Sequence, residues 1–404
     1  MNPWKSLGRL RREIWVLFTT LLVNRMGTMV LPFLVLYLTR RLGFSPERAS
    51  LALMVYGGGA LVVAPLAGRL CDRVGALRIM KASLFLSGLV LLVFPLVSSF
   101  GGVLLLTLLW AVVNEAFRPA NMALLSHLAG PDLRKAAFSL NRLAVNMGMS
   151  VGPALGGLLA MVSFRWLFWA DGATSILAGC ILVVMAPREP EHVHSKAPGD
   201  GEERAPLPSP AALANGRFLF FLAALLPTVM VFFQLESAFP LYLVRDVGLS
   251  ASAFGLLFTV NTVLIILLEI PLNTAMARWP HHLAMPLGAL LCCWGFAAVA
   301  LAGSFGTVAL TVVIWTFGEM ILFPGSATCV ADMAPEDRRG EYMGIYTMSF
   351  SLAFMAGPWL GALILERLGP IALWGGAALL GFLSAAMMWL VNVPKRPPET
   401  PPGP

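Results

Sequence analysis

Twelve separate runs of apolar residues, each near the roughly 20 residues a helix needs to cross hydrocarbon, leave this chain few ways to fold. They fall at about 13–38, 48–69, 76–99, 101–125, 137–162, 166–187, 216–243, 252–273, 281–304, 307–330, 341–366 and 369–393. Backbone inside lipid must satisfy its own N–H and C=O groups, so runs of this length are expected as helices. With 58% hydrophobic and 12% charged residues, the chain cannot cover itself with a polar surface in water. The expectation is an all-α membrane protein with twelve transmembrane helices. The first run is about twice as long as a signal-peptide core and lacks a small-residue cleavage site, so it is expected to stay as a spanning helix.

The runs fall into two copies. Slid forward by 205 positions without a gap, Trp110 meets Trp315, Pro119 meets Pro324, Asp132 meets Asp337 and Arg134 meets Arg339. Gly152-Pro153 and Gly156 meet Gly357-Pro358 and Gly361, while Tyr37, Arg40, Gly43 and Ser45 meet Tyr242, Arg245, Gly248 and Ser250. This predicts two pseudo-symmetric six-helix bundles, at 1–187 and 216–393, joined by a polar linker at 188–215 and followed by a proline-rich, disordered tail at 394–404. Parallel repeats of membrane helices are the pattern of a secondary transporter whose site lies between the halves near the bilayer midplane.

The formal charge of +7 does not point to nucleic acid, because the basic residues sit in short segments between apolar runs rather than on one clustered face. Placing the N-terminus in the cytoplasm puts nineteen lysines and arginines in cytoplasmic segments and six on the opposite side. That bias predicts both termini inside, in a bacterial-type plasma membrane. The five cysteines, Cys71, Cys180, Cys292, Cys293 and Cys329, lie in or beside apolar runs without metal-ligand spacing and read as packing thiols.

Between the second and third runs stands Gly68-Arg-Leu70-Cys-Asp72-Arg73-Val-Gly75-Ala-Leu-Arg78. The fifth run carries Gly148, Gly152-Pro153 and Gly156-Gly157. With these segments the sequence resembles the major facilitator superfamily, and within it the proton-coupled drug antiporters of the twelve-helix type. The first segment is similar to the superfamily's cytoplasmic loop signature, with Ala76 and Leu77 where two basic residues usually follow the second glycine. The resemblance implies a gating role for Gly68, Asp72, Arg73, Gly75 and Arg78. The second segment matches the antiporter motif of the fifth helix at every glycine and at the proline. Thr107 stands near the place where the family's fourth-helix motif has an arginine.

An ionisable residue at bilayer depth costs at least ~2.5 kcal/mol on insertion scales, so each one is a candidate for function. Arg25, Glu115 and Glu319 lie closest to the middle of their runs, and Glu319 falls one place from the copy of Glu115. Glu319 has no basic neighbour in its own run and is the expected proton carrier, with Glu115 as a second proton-coupling carboxylate. Arg25 stays charged and needs a partner. Glu115 is the expected one, with Asn24 and Asn114 completing a hydrogen-bonded cluster, or the pair simply holds the first half together. Arg118 either shares Glu115 on one helix face or reaches the interface.

Glu236, within Gln234-Leu-Glu236-Ser-Ala-Phe-Pro240, is expected to face the outer mouth of the cavity. Glu269 is expected to meet interfacial water or Arg278, and Asp171 to be a packing or interfacial residue. Among 20 methionines and 25 phenylalanines, Met26 and Phe233 are placed on the cavity wall with Gln234 and Glu236.

Other classes fit less well. His281-His282 has no carboxylate or cysteine at metal-ligand spacing, and no phosphate-binding glycine-lysine loop is present. The implied function is alternating-access efflux of small amphipathic molecules in exchange for protons. The competing reading is symport that imports a sugar, organic acid or peptide. The expected partners are a small-molecule substrate and the lipid bilayer, with the proton gradient as energy source, no bound cofactor, no metal, and a functional monomer.

Overall fold

The computed structural model describes residues 10–185, 211–276, 279–335 and 338–391, and every regular element among them is a helix. Ten helical stretches among the described residues are long and apolar enough to cross a membrane. Pro46–Val74 is a further helix of 29 residues, and the last stretch is two passes, which gives the twelve spans of the all-α membrane fold. The first nine residues, most of the expected linker and the tail lie outside the described residues.

Two helices run on where the sequence predicts loops. Phe117–Val162 continues for 46 residues through the turn expected between the fourth and fifth spans. A straight helix would hold Asn121 and Asn141 about 30 Å apart, yet Asn121 Nδ2 donates to Asn141 Oδ1 at 2.8 Å. The chain therefore doubles back between them, and the two spans lie side by side. Arg339–Leu390 is likewise the eleventh and twelfth spans, bent at Gly369, where φ is 83°. Glycine reaches that region without steric cost, and Pro370 then starts the return pass.

The 205-residue offset extends to caps and turns. Ser45 accepts the Arg48 N–H at 3.3 Å to open the second span, and Ser250 accepts the Ala253 N–H at 3.1 Å to open the eighth (Ala251–Ala275). Ser99 and Ser304 cap the fourth (from Phe100–Glu115) and tenth (Phe305–Met333) in the same way. Gly43 and Gly248, just before the first pair, have φ of 71° and 78°.

The first and seventh spans are broken at matching places, where the sequence predicts unbroken helices. The first stops at Met26 and resumes as Val30–Arg40. The seventh, Gly216–Phe232, passes through a 3-10 turn at Phe233–Glu236 and resumes as Ala238–Arg245. Backbone freed at such a break is tolerated in a membrane only where protein groups satisfy it.

The buried apolar side chains form three clusters. One joins the halves: Phe33, Tyr37 and Leu53 of the first half pack with Phe239, Phe254 and Trp374 of the second. The other two keep to one half each, around Leu17, Leu77 and Phe117 in the first and around Phe218, Met285 and Tyr342 in the second. The separate cores hold Leu10 on one side and Ala212 and Val391 on the other. They therefore mark the face that carries the chain ends, called here the terminal face. At the far face the halves are tied further by Arg40 Nη2 donating to the Val244 carbonyl at 3.0 Å, and by Arg367 Nε donating to Glu47 Oε1 at 3.0 Å. The halves are thus closed at the far face and have separate cores toward the terminal face.

Candidate functional site

The break in the first span is held from two sides. Asp171 of the sixth span (Arg165–Met185), 5% exposed, accepts the N–H groups of Met29 and Val30, both at 3.2 Å. A carboxylate at the first free amides of a half-helix meets both their hydrogen-bonding need and their partial positive charge. From the fifth span, Gly152 fits against the carbonyls of Arg25, Met26 and Thr28, where an added Cβ would lie 3.0–3.1 Å from each oxygen. Gly148 packs on Arg25 itself, and Gly156 on Met29 and Phe33.

The second half repeats this packing. Gly357, the copy of Gly152, sits on the carbonyl of Met230, the copy of Arg25. Gly361, the copy of Gly156, packs on Gln234, whose Nε2 donates to the carbonyls of Met230 at 2.9 Å and Gly357 at 2.8 Å. Gly157 and Pro153 face the other way. A Cβ on Gly157 would lie 2.6 Å from the Ala251 carbonyl oxygen, and Gly255 packs on the Pro153 carbonyl. One run of glycines therefore seats the broken span on one side and the opposite half on the other.

The two carboxylates picked out by the sequence each take a donor from the second helix of their half or its copy. Tyr56 donates its O–H to Glu115 Oε1 at 2.7 Å and accepts from Asn114 Nδ2 at 2.8 Å. Asn261, the copy of Tyr56, donates through Nδ2 to Glu319 Oε2 at 2.8 Å and to Thr316 Oγ1 at 3.0 Å. The pairing is the same on both sides, although the donor is a phenol in one and an amide in the other. Beside Glu115 the Tyr56 ring meets Trp110 at 4.9 Å and Phe354 of the eleventh span at 5.9 Å; Phe354 in turn lies 5.0 Å from Phe233. Aromatic faces from both halves thus adjoin one of the two carboxylates.

Several expectations need correction. Among the described residues no ion pair joins Arg25 to Glu115. Glu115 is bound by Tyr56 instead, and Arg25 Nε is buried without a hydrogen-bond partner. Asn24 bonds Ser175 Oγ at 3.3 Å and is not part of a cluster with Asn114. Glu269 accepts a hydrogen bond from Arg142 of the other half, and Arg278 lies outside the described residues. Asp171, expected as a packing residue, is the cap of the broken span.

Glu236 closes the 3-10 turn, with Oε2 buried and unpartnered. Met26 lies at the Gly148 and Gly152 contact. Of the loop signature, Gly75 has φ of 101°, which explains a glycine between the second and third spans (Ala76–Val93), and Arg73 is exposed. The surroundings of Gly68 and of the Asp72 side chain lie outside what is described. His281 Nε2 lies 3.3 Å from Asp332 Oδ2, and among the described residues no group of three or more metal-binding side chains occurs. A cavity of about 300 Å³ lies within the second half, between Gln234, Gly357, Gly361 and Trp374; none of the carboxylates lines it.

Tyr56, Asn261 and Phe354 escape a reading of the sequence alone. The first two overlie each other at the repeat offset, so a search for polar residues at copied positions inside the spans would find them. Phe354 has no comparable signal among so many aromatic residues.

The sequence signature described as Major Facilitator Superfamily matches residues 16–253 and 235–404. The chain is 25% identical over 374 residues to the uncharacterized MFS-type transporter YqjV of Bacillus subtilis, covering 91% of this chain and 89% of that protein. It is 22% identical over 365 residues to the multidrug resistance protein MdtH of Photorhabdus laumondii, covering 88% and 87%. Its fold superposes on a D-xylose-proton symporter with a TM-score of 0.74 at 15% identity, over 94% of this chain and 97% of that one. Duplicated bundles, matching broken spans and a match that extends through both halves lead to one conclusion: the chain belongs to the major facilitator superfamily, a family of multi-pass membrane transporters and not of enzymes.

Proposed function

We propose that this transporter is a proton-coupled exporter of small amphipathic molecules, with Glu319 as the proton carrier and Glu115 as its counterpart in the first half. The observation that carries the reading is a carboxylate held by the same donor position in each half, Glu115 by Tyr56 and Glu319, one place from the copy of Glu115, by Asn261. Ionisable groups at this depth are retained where they act on substrate or protons. Glu319 is the better carrier because its hydrogen bond comes from a neutral amide, whereas Glu115 shares its surroundings with Arg25. The aromatic contact between Tyr56, Phe354 and Phe233 suits flat apolar substrates, and the glycine-rich fifth span and the relation to a multidrug resistance protein favour export.

By the charge bias the terminal face is cytoplasmic, in a bacterial-type inner membrane. The closed far face then corresponds to an inward-facing state. Alternating access follows from rocking of the halves, with the Asp72 and Arg73 loop closing the terminal face in the opposite state. Arg25, Asn24, Asn114, Gln234, Glu236, Phe233 and Met26 surround the substrate path.

The test is uptake into proteoliposomes against an imposed pH gradient, using lipophilic cations, neutral antibiotics, sugars and peptides as the panel. Accumulation of lipophilic cations or antibiotics driven by counter-flow of protons is the expected result. Accumulation of a sugar or peptide in the direction of proton flow would replace the export reading with symport.

A further inference from the structure

Among the described residues, one contact between charged groups crosses from one half to the other inside the spans. Arg142 of the fifth span donates through Nη2 to Glu269 Oε1 of the eighth. The two ends differ in exposure: the arginine side chain is 56% exposed and the carboxylate side chain 10%. The guanidinium thus reaches from an open surface into a closed one.

Glu269 belongs to a polar stripe on the eighth span that touches the tenth at the proton site. Asn261, Ile265, Glu269 and Asn273 follow at four-residue spacing and lie along one side of the helix. Asn261 binds Glu319, and Asn273 Nδ2 donates to the carbonyl of Met320 at 3.2 Å and to that of Glu269 at 2.9 Å. Glu269 thus stands between the residues that bond Glu319 and the carbonyl beside it, with Arg142 hydrogen-bonded to it from the other half, and buried Cys292 of the ninth span packs on Gly318 beside Glu319. Two carboxylates of one half therefore lie in the field of a single arginine of the other.

We infer that Arg142 and Glu269 are a positioning pair through which the proton on Glu319 sets how closely the halves approach at the terminal face. This rests on the proton-carrying role proposed for Glu319. With Glu319 ionised, Arg142 is attracted by two anions of the opposite half, and the terminal ends are drawn together. With Glu319 protonated it is held by Glu269 alone, and they part. The sign suits export: an incoming proton favours opening toward the terminal face, where it leaves and substrate enters.

The experiment measures distances between nitroxides placed at exposed Leu70 and Leu283, one in each half, in full-length protein with the exposed Cys180 replaced. Between mildly acidic and mildly alkaline pH, the ratio of close to parted populations should change about fivefold or more, the usual scale of coupling between sites. R142Q should abolish that change while Glu319 is intact, and E269Q should lower the close population at every pH. The charge swap, R142E with E269R, should restore the close population but reverse its pH response, since ionised Glu319 would then compete with the carboxylate introduced at position 142 for an arginine in its own half; this arm also serves if a single variant fails to fold. A wild-type pH response in R142Q or in the swap would overturn the inference. A wild-type response in E319Q would instead overturn the proton role of Glu319.

Discussion

Glu319→Gln should exchange substrate across a membrane yet fail to concentrate it. Glutamine keeps an oxygen to accept from Asn261 Nδ2, so the contact between the eighth and tenth spans survives, while the side chain can no longer release a proton. Since one pH unit is worth 1.36 kcal/mol per proton, the parent protein should sustain about a tenfold substrate gradient per pH unit for each proton exchanged, and the variant none. Counterflow of labelled substrate between equal pools should stay near the parent rate. Loss of counterflow as well would mean that Glu319 binds substrate or supports the fold, and retained accumulation would place the proton elsewhere.

The second large effect concerns the fold. Gly152→Leu should remove most folded protein, because its side chain would have to displace three carbonyls at the break of the first span, those of Arg25, Met26 and Thr28. Overpacking of this kind costs about 1–3 kcal/mol even where side chains can yield, and backbone at a break held by Asp171 yields less. Gly101→Ala is the control, since nothing lies within 4 Å of its added Cβ and alanine favours a helix by up to about 1 kcal/mol. Thermal unfolding followed by size-exclusion chromatography in detergent should separate the two: a much lower midpoint for Gly152→Leu and an unchanged or raised one for Gly101→Ala. Equal midpoints would contradict the packing described.

The passes, their duplication and the two carboxylates are legible in the sequence because each leaves a periodic or compositional mark that needs no knowledge of contacts. The breaks in the first and seventh spans are not, since an apolar run looks the same whether or not Gly27–Met29 unwinds inside it. What stabilises the first break, Asp171, lies more than 140 residues away in sequence. The pairing of charges fails for a related reason. Arg25 and Glu115 are near enough to feel one another, but side-chain reach decides bonds, and the Tyr56 hydroxyl arrives first. In sequence Arg142 is one more basic residue near a span end; only the approach of the fifth and eighth spans over Gly157 and Gly255 brings it to Glu269. The loop signature at Gly75 is readable in full as a conformational requirement, φ of 101°.

Proton movement evoked by substrate tests the account most directly. With a pH-sensitive dye trapped in proteoliposomes and no imposed gradient, adding a transported drug outside should move protons outward as drug enters, and Glu319→Gln should abolish that signal while drug still equilibrates. Protons that move inward with the drug, or a signal undiminished in the variant, would contradict proton-coupled export through Glu319.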